Sequence, residues 1–459
     1  MTGMSYQTVK IQGDAMSNNS SLNNPCIFVG GKTVSNSKYH SLLGVKNDCP
    51  CGKVHSCNIQ SVIIRRGALE ELPILTSSYK SILLVCDENT RWVCGNEVSR
   101  LIHDKLESEL TFGEELLVPN EEAVRRLDSY VSDKTELIIG VGSGVINDLC
   151  KYVSHARGIP YFIVATAPSM DGYASKGAAM LFGGMKITTD ADVPRAIIAD
   201  TAVLKNAPLD MLRAGYGDVI GKYSCLNDWR LSNVIFDEYL CEYVYGLTYG
   251  TVEAVAGLGE RIVSRDEESV AALMWGLVTV GIAMAYMGNS RPASGSEHHL
   301  SHFFEVVGLL RDEPYLSHGI DVAYSTYLTA EIRQLILSKD VPKGKPFSEE
   351  EYEKNVRRVY ASEQDLHTAE EILKLQKRLG MIYESNLPIY RDKWEDIRRV
   401  LRDTPGPEEI KGLLSSVGLS ISEFRKTYSE EKISDALKYA KYLKDRYTVL
   451  WLYDALEIK

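Results

Sequence analysis

The sequence predicts an α/β domain built on a parallel sheet, followed by an all-helical domain. Three observations carry this expectation. From Ile59 to Asp200, short apolar runs alternate with helical stretches, the pattern of a parallel sheet with helices on both faces. Beyond Asp200 the β-branched runs disappear and apolar residues recur at helical spacing to the C-terminus. The chain has 459 residues, enough for two or three domains with a large core. The expected division is a tail with a Cys-rich segment over 1–58, the α/β domain over 59–205 and the helical domain over 206–459.

Taken in order, Ser61–Arg65 reads as a strand and Gly67–Leu75 as a short helix. Ser81–Cys86 is a continuous apolar run ending at Asp87, as expected of a parallel strand buried on both faces. A helix is expected over Asn89–Glu107, a strand over Glu114–Val118 and a helix over Glu121–Ser132. Glu136–Val141 is a further strand running into a glycine turn, a helix follows to about Arg157, and Tyr161–Thr166 is the next strand. The charged segment from Ser348 to Lys459 reads as amphipathic, solvent-facing helices broken by a loop at Asp403–Pro407. Val270–Met287 is an uncharged run of 18 residues, which touches the length of a membrane span. Its Ala and Gly content, and the lack of flanking Lys or Arg clusters, favour a helix buried in the helical domain.

Composition excludes some classes of function. The chain is 44% hydrophobic and 25% charged, with a formal net charge of −11, so a nucleic-acid surface is not expected. Nine scattered cysteines without a signal-peptide pattern point to free thiols in a reducing cytoplasm. Cys49, Cys51, His55 and Cys57 crowd nine residues, but the spacing is not that of paired C-x2-C zinc units. A surface β-turn with free thiols is expected there, with a structural zinc as the other reading.

The chemistry concentrates in four stretches. Four of the nine histidines lie between Ser294 and His318. If 296–306 is helical, His298 and His302 share a face, His299 is turned about 100° away, and His318 can return from the next helix. Asp218, flanked by glycines in an apolar context, is costly to bury unless paired or metal-bound. One carboxylate and two imidazoles are a common set for a divalent ion with an open position, so Asp218, His298 and His318 form the candidate ligand set. Gly140-Val-Gly142-Ser143-Gly144 occupies a strand-to-helix junction, where glycines and helix amides favour a dinucleotide pyrophosphate. The stretch is not G-x-G-x-x-G, because Ile146 replaces the last glycine, and it lacks a P-loop lysine. Asp87, at a strand end, is suited to the ribose hydroxyls or to capping the helix after it. Thr166–Ser175 is loop chemistry at the carboxyl edge of the sheet, where such sheets bind ligands.

Together, Gly142–Asp148, Thr166–Gly172, Gly217-Asp218, Ser296–His299 with His302, His318 and Asp445–Leu450 resemble the sn-glycerol-1-phosphate dehydrogenases. These belong to the dehydroquinate synthase and iron-containing alcohol dehydrogenase superfamily. The resemblance covers roughly residues 60–455 and implies a dehydroquinate synthase-like fold with a metal in the cleft between the two domains. It implies metal ligation by Asp218, His298 and His318, and substrate contacts by Asp171, Asp218 and His302, of which Asp171 and His302 are the catalytic candidates. The implied cofactor contacts are Asp87, the turn Gly142, Ser143, Gly144, Val145 and Ile146, and Thr166, Ser169 and Ser175. The implied reaction is reduction of dihydroxyacetone phosphate by NAD(H) or NADP(H), with Zn first and Ni or Fe as alternatives. Lys222 and Arg230 are the candidates for the substrate phosphate. A homo-oligomer with no membrane span and no nucleic-acid partner is expected. The alternatives are a polyol dehydrogenase on an unphosphorylated substrate, a dehydroquinate-synthase-like lyase, and a binding protein that retains the fold. The N-terminal tail with the Cys49–Cys57 cluster, and the length of the C-terminal helices, depart from the family core.

Overall fold

The computed structural model describes residues 26–29, 32–35, 42–46, 48–113, 117–183, 185–340, 347–362, 366–382 and 386–456. Twelve strands are formed among them: β1 Cys26–Val29, β2 Lys32–Ser35, β3 Gly44–Lys46, β4 His55–Cys57, β5 Ser61–Arg65, β6 Ile82–Asp87, β7 Leu106–Phe112, β8 Leu137–Gly142, β9 Tyr161–Ala165, β10 Gly177–Phe182, β11 Met185–Asp190 and β12 Ala196–Asp200. Six of them make one sheet in the order β5-β12-β9-β8-β6-β7, and every pairing in it is parallel. The pairs β1–β2, β3–β4 and β10–β11 are antiparallel.

The apolar runs of the sheet are buried on both faces, and alternate residues sort to opposite sides. Leu83, Val85, Ile138, Ile163 and Ile197 join the core that continues into the helical half. Ile82, Leu84, Leu137, Ile139 and Ile198 face a second core, with Leu72 and Val98 from the β5–β6 and β6–β7 connections. Helix Gly144–Arg157, between β8 and β9, packs Leu149 and Val153 into the first core. Successive right-handed crossovers therefore change face where strand order reverses, between β6 and β8. The chain diverges at their carboxyl ends and opens a crevice there. Asp87 ends β6 and Gly142 ends β8, so the geometry of the sheet puts both candidates at this crevice.

Three sequence expectations need correction. The helical stretch after β6 ends at Leu101, and the next strand is Leu106–Phe112, not Glu114–Val118. Residues 114–116 lie outside the described residues. β7 is an edge strand reading Leu-Glu-Ser-Glu-Leu-Thr-Phe, and its interspersed charges read as helix continuation. The helix that follows stops at Asp128, short of Ser132. The hairpin β10–β11 and the strand β12 carried no sequence signal strong enough to place them.

From Leu209 onward the described elements are helical. Helices Leu209–Phe236, Glu267–Met287, Ser296–Arg311 and His318–Leu337 form the centre, with buried residues around most of their circumference. The Glu267–Met287 helix is long and apolar enough to cross a membrane, yet 89% of its apolar window is buried inside the fold. It is the expected core helix. Further amphipathic helices cover this centre from Glu349 onward.

Candidate active site

Two close helix crossings build the site. Helices Leu209–Phe236 and His318–Leu337 touch through glycines: a Cβ on Gly217 would lie 2.5 Å from the Gly319 carbonyl oxygen, and one on Gly319 would lie 2.1 Å from that of Ala214. This approach brings Asp218, next to Gly217, toward His318, next to Gly319. Helix Ser296–Arg311 supplies His298, and its N-terminus is held by a third group. Buried Asp228 accepts hydrogen bonds from Ser296 N–H at 2.6 Å and Val449 N–H at 2.7 Å. Gly295 is required beside it, since a Cβ there would lie 2.6 Å from Asp228 Oδ2. Burial and the nearby Glu297 carboxylate raise the Asp228 carboxyl to about 6.

The ligand atoms of Asp218, His298 and His318 all lie within 4.8 Å of one another. His298 Nε2 is 3.7 Å from Asp218 Oδ1, while its Nδ1 donates to Glu297 Oε1 at 2.6 Å. That bond fixes the tautomer and leaves the Nε2 lone pair pointing at the cluster. Burial, assisted by the positive charge of Lys222, lowers His298 to about 3, so the imidazole is neutral, as a metal ligand must be. Burial also raises Glu297 to about 7.

His302 is one turn further along, half-exposed, with ring centroids 6.2 Å from His298 and 5.6 Å from His318. It lies beside the cluster without belonging to the ligand-distance set. His299 is fully buried, burial drives its pKa well below the ordinary value, and neither ring nitrogen has a hydrogen-bond partner among the described residues.

The loop after β9 reaches this cluster. A Cβ on Gly215 would lie 1.8 Å from the Pro168 carbonyl oxygen, so the loop lies directly on the Asp218 helix. Asp171 N–H donates to Asp218 Oδ2 at 2.9 Å. Lys222 Nζ bridges Asp171 Oδ2 and Asp218 Oδ1, both at 2.6 Å, and donates to Ala293 O at 3.0 Å. Burial opposes the charge of Lys222, but the carboxylates of Asp171 and Asp218 outweigh it and raise its pKa. Lys222 is thus a strut between carboxylates and not an open phosphate ligand. Arg230 is three turns on, pairs with Glu242 and lies roughly 18 Å from Asp218 along the helix axis. It is not in the site.

At the sheet edge, Ser143 precedes helix Gly144–Arg157 and makes no side-chain cap, so the first-turn amides of Gly144, Val145 and Ile146 are without intrahelical partners. Thr166 N–H donates to Gly142 O at 3.1 Å, tying the two loops together. The Asp87 Oδ1 caps Thr90 N–H at 2.7 Å, so the capping role is realised. Ser169 is half-buried on the same loop. Ser175 is buried and donates to the Gly172 and Gly177 carbonyls. Lys151, which the sequence reading missed, is fully buried and donates to Gly172 O at 2.7 Å and Ser175 Oγ at 3.1 Å. Burial lowers it to about 8. Its signal was a lysine on the inward face of a helix otherwise carrying Asn147 and Ser154.

Comparisons with known proteins agree with this architecture. The family model described as iron-containing alcohol dehydrogenase matches residues 63–208. A glycerol-1-phosphate dehydrogenase [NAD(P)+] of Geobacillus thermodenitrificans is 28% identical, over 91% of this chain and 97% of its own length. The protein of the same name from Pyrococcus furiosus is 34% identical, over 54% of this chain and 70% of its own. Among solved structures, a halo-thermophilic archaeal alcohol dehydrogenase from a Red Sea brine pool aligns with a TM-score of 0.56 at 15% identity, covering 87% of this chain and 97% of that one. An NADH-dependent butanol dehydrogenase of Thermotoga maritima aligns at 0.55 and 17% identity, covering 86% and 92%. These structures share the fold expected from the resemblance, a parallel-sheet domain with a helical C-terminal region. The chain belongs to the glycerol-1-phosphate dehydrogenase family of the iron-containing alcohol dehydrogenase superfamily.

Proposed function

We propose that the protein reduces dihydroxyacetone phosphate to sn-glycerol 1-phosphate with NADH or NADPH, and catalyses the reverse oxidation. The observation that carries this reading is the Asp171–Lys222–Asp218 chain of contacts. It joins the carboxyl edge of the sheet, the place for a dinucleotide, to a three-ligand cluster suited to a divalent ion. A polyol dehydrogenase or a lyase would use the same scaffold. The relatives' names favour the phosphorylated substrate.

Asp218, His298 and His318 would hold the metal. A carboxylate and two neutral imidazoles fit Zn²⁺ best, with Ni²⁺ and Fe²⁺ also compatible. When bound, the ion supplies Lewis acidity and the reduced nicotinamide supplies the hydride. The protein's own groups do the rest. Gly142, Ser143, Gly144, Val145 and Ile146 would receive the pyrophosphate at the helix N-terminus, with Thr166 and Ser169 on the neighbouring loop. Ser175 would act through the loop it braces. The carboxylate of Asp87 would meet the ribose hydroxyls while keeping its cap. Asp171 would orient the substrate hydroxyls, since Lys222 fixes its carboxylate. His302, on the open side of the cluster, would pass a proton from a ring nitrogen to the substrate oxygen, directly or through water.

For the substrate phosphate we assign Lys444. It is half-buried, and its charge reaches both His298 and His299. The cleft would lie between a dinucleotide-binding unit over 59–205 and a helical unit over 206–459. A cytoplasmic location and a homo-oligomer complete the proposal. The first is supported by the free thiols among the described residues. The second is supported by neighbouring exposed apolar side chains, Trp92 at 81% and Val93 at 55%.

The test is cofactor oxidation with dihydroxyacetone phosphate, dihydroxyacetone or buffer alone, followed by stereochemical analysis of the product. Turnover confined to the phosphorylated ketone, with the sn-1 product, is expected. Equal rates with the unphosphorylated ketone would make it a polyol dehydrogenase.

A further inference from the structure

The Cys49–Cys57 segment does form a turn. Gly52 takes φ +78° and its N–H donates to Cys49 O at 3.0 Å. The turn lies at the surface, as the sequence led us to expect, with Pro50, Gly52, Lys53 and Val54 exposed, but the side chains on either side of it turn inward. Cys49 is 5% exposed and His55 1%. A fourth group arrives from far along the chain: Cys241, fully buried, is the residue that begins helix Glu242–Ala256.

We propose that Cys49, Cys51, His55 and Cys241 form a structural zinc site, separate from the Asp218, His298 and His318 cluster and independent of the proposed activity. The four ligand atoms lie within 4.8 Å of one another. Cys49 and Cys241 sulfurs are 3.6 Å apart. His55 Nε2 is 3.3 Å from Cys51 Sγ and 3.4 Å from Cys241 Sγ. A tetrahedral zinc with its usual bond lengths sets sulfurs roughly 3.8 Å apart and sulfur and nitrogen roughly 3.6 Å apart. The observed separations match both edges of that tetrahedron. They do not match a disulfide, whose sulfurs sit about 2.05 Å apart.

The surroundings suit an ion as well. His55 Nδ1 lies 3.1 Å from the Tyr286 carbonyl oxygen. A carbonyl only accepts, so Nδ1 carries the proton and Nε2 presents its lone pair to the three sulfurs. Lys53 N–H donates to Cys51 Sγ at 3.4 Å, a contact that favours the thiolate. Three soft thiolates and an imidazole select zinc over magnesium or calcium. Four protein ligands leave no open position, so the role is structural.

The ion would tie the segment before the sheet to the helical half. His55 stacks on Tyr286, with ring centroids 5.4 Å apart, and Tyr286 Oη donates to Leu42 O at 2.6 Å. Sequence spacing alone left a structural zinc as the second reading, because the fourth ligand is 186 residues from His55.

The experiment uses the full-length protein loaded with Co²⁺. Thiolate ligation gives an intense near-ultraviolet charge-transfer band, which a carboxylate and two imidazoles cannot give. The band is expected in the wild type and in His298→Ala, and lost in Cys51→Ser and Cys241→Ser. In zinc-loaded wild type, a mercurial thiol reagent should release one zinc per chain to a chromogenic chelator. These wild-type readouts hold even if a cysteine variant fails to fold. A cobalt-loaded wild type without the band, or a Cys49–Cys241 disulfide found by mass spectrometry, overturns the site.

Discussion

Substituting Gly319 by alanine tests whether a backbone crossing holds the candidate metal ligands together. The added Cβ would lie 2.1 Å from the Ala214 carbonyl oxygen, 2.6 Å from its carbonyl carbon and 2.8 Å from its Cα. All three are backbone atoms, so no side chain can swing away. Restoring ordinary contact at 3.4 Å requires about 1.3 Å of separation between the two helices. Asp218 and His318 ride on opposite sides of that gap, so the ligand cluster widens with it. Overpacking of this kind costs about 1–3 kcal/mol. A ligand shift of this size should weaken metal binding by on the order of tenfold or more. The assay is thermal unfolding with and without added Zn²⁺, together with metal content after dialysis. The control is Gly246→Ala, where a Cβ meets nothing within 4 Å among the described residues. On helix Glu242–Ala256 that change should stabilise by about 0.5–1 kcal/mol. A Gly319→Ala protein with wild-type metal content and unfolding temperature would refute the crossing as the device that sets the site.

Four further outcomes follow. His298→Ala should lose metal and activity together, whereas His302→Ala should keep its metal and lose turnover with dihydroxyacetone phosphate. Metal analysis of both, with His299→Ala, tests the assignment, and loss of metal from His302→Ala as complete as from His298→Ala would make His302 a ligand. Asp228 has its folded pKa raised to about 6 from 3.8, so between these values the folded state keeps a proton that the unfolded state releases. Stability therefore falls as pH rises through this window, by on the order of 3 kcal/mol, and urea unfolding of Asp228→Asn should lose that slope. Asp87→Ala should raise the KM for NADH by about tenfold, the loss of a hydrogen bond to a charged group, and raise the KM for NADPH less, while the lost helix cap costs about 1 kcal/mol. Lys444→Met should raise the KM for dihydroxyacetone phosphate by about tenfold or more without changing that for dihydroxyacetone, and an equal effect on both would remove Lys444 from the phosphate site.

Legibility followed the range of the forces involved. β6, β8 and β9 were readable because a strand buried on both faces is a continuous apolar run. β7 was not, because an edge strand tolerates charge at every other position. The shared face of His298 and His302 was readable from helical period alone, and the 6.2 Å between their rings agrees. Lys222 was marked for the substrate phosphate because its sequence shows a cation and nothing of the Asp171 carboxylate, which reaches it from the loop after β9. Arg230 carried the same ambiguity and is spent on Glu242.

By itself the sequence pointed to an α/β half followed by a helical half, to the glycine turn at the end of β8 and to Asp218, His298 and His318 as candidate ligands. Burial pattern and helical period are local properties that a few neighbouring residues express. Tertiary structure alone decided which of these groups meet. Gly217 and Gly319 let two helices approach until Asp218 and His318 converge, and Gly215 lets the Pro168 loop carry Asp171 to them. Cys241 closes a site with Cys49, Cys51 and His55 across the fold. Such meetings depend on contacts between segments tens to hundreds of residues apart, and the spacing of residues along the chain does not encode the distance between them in space.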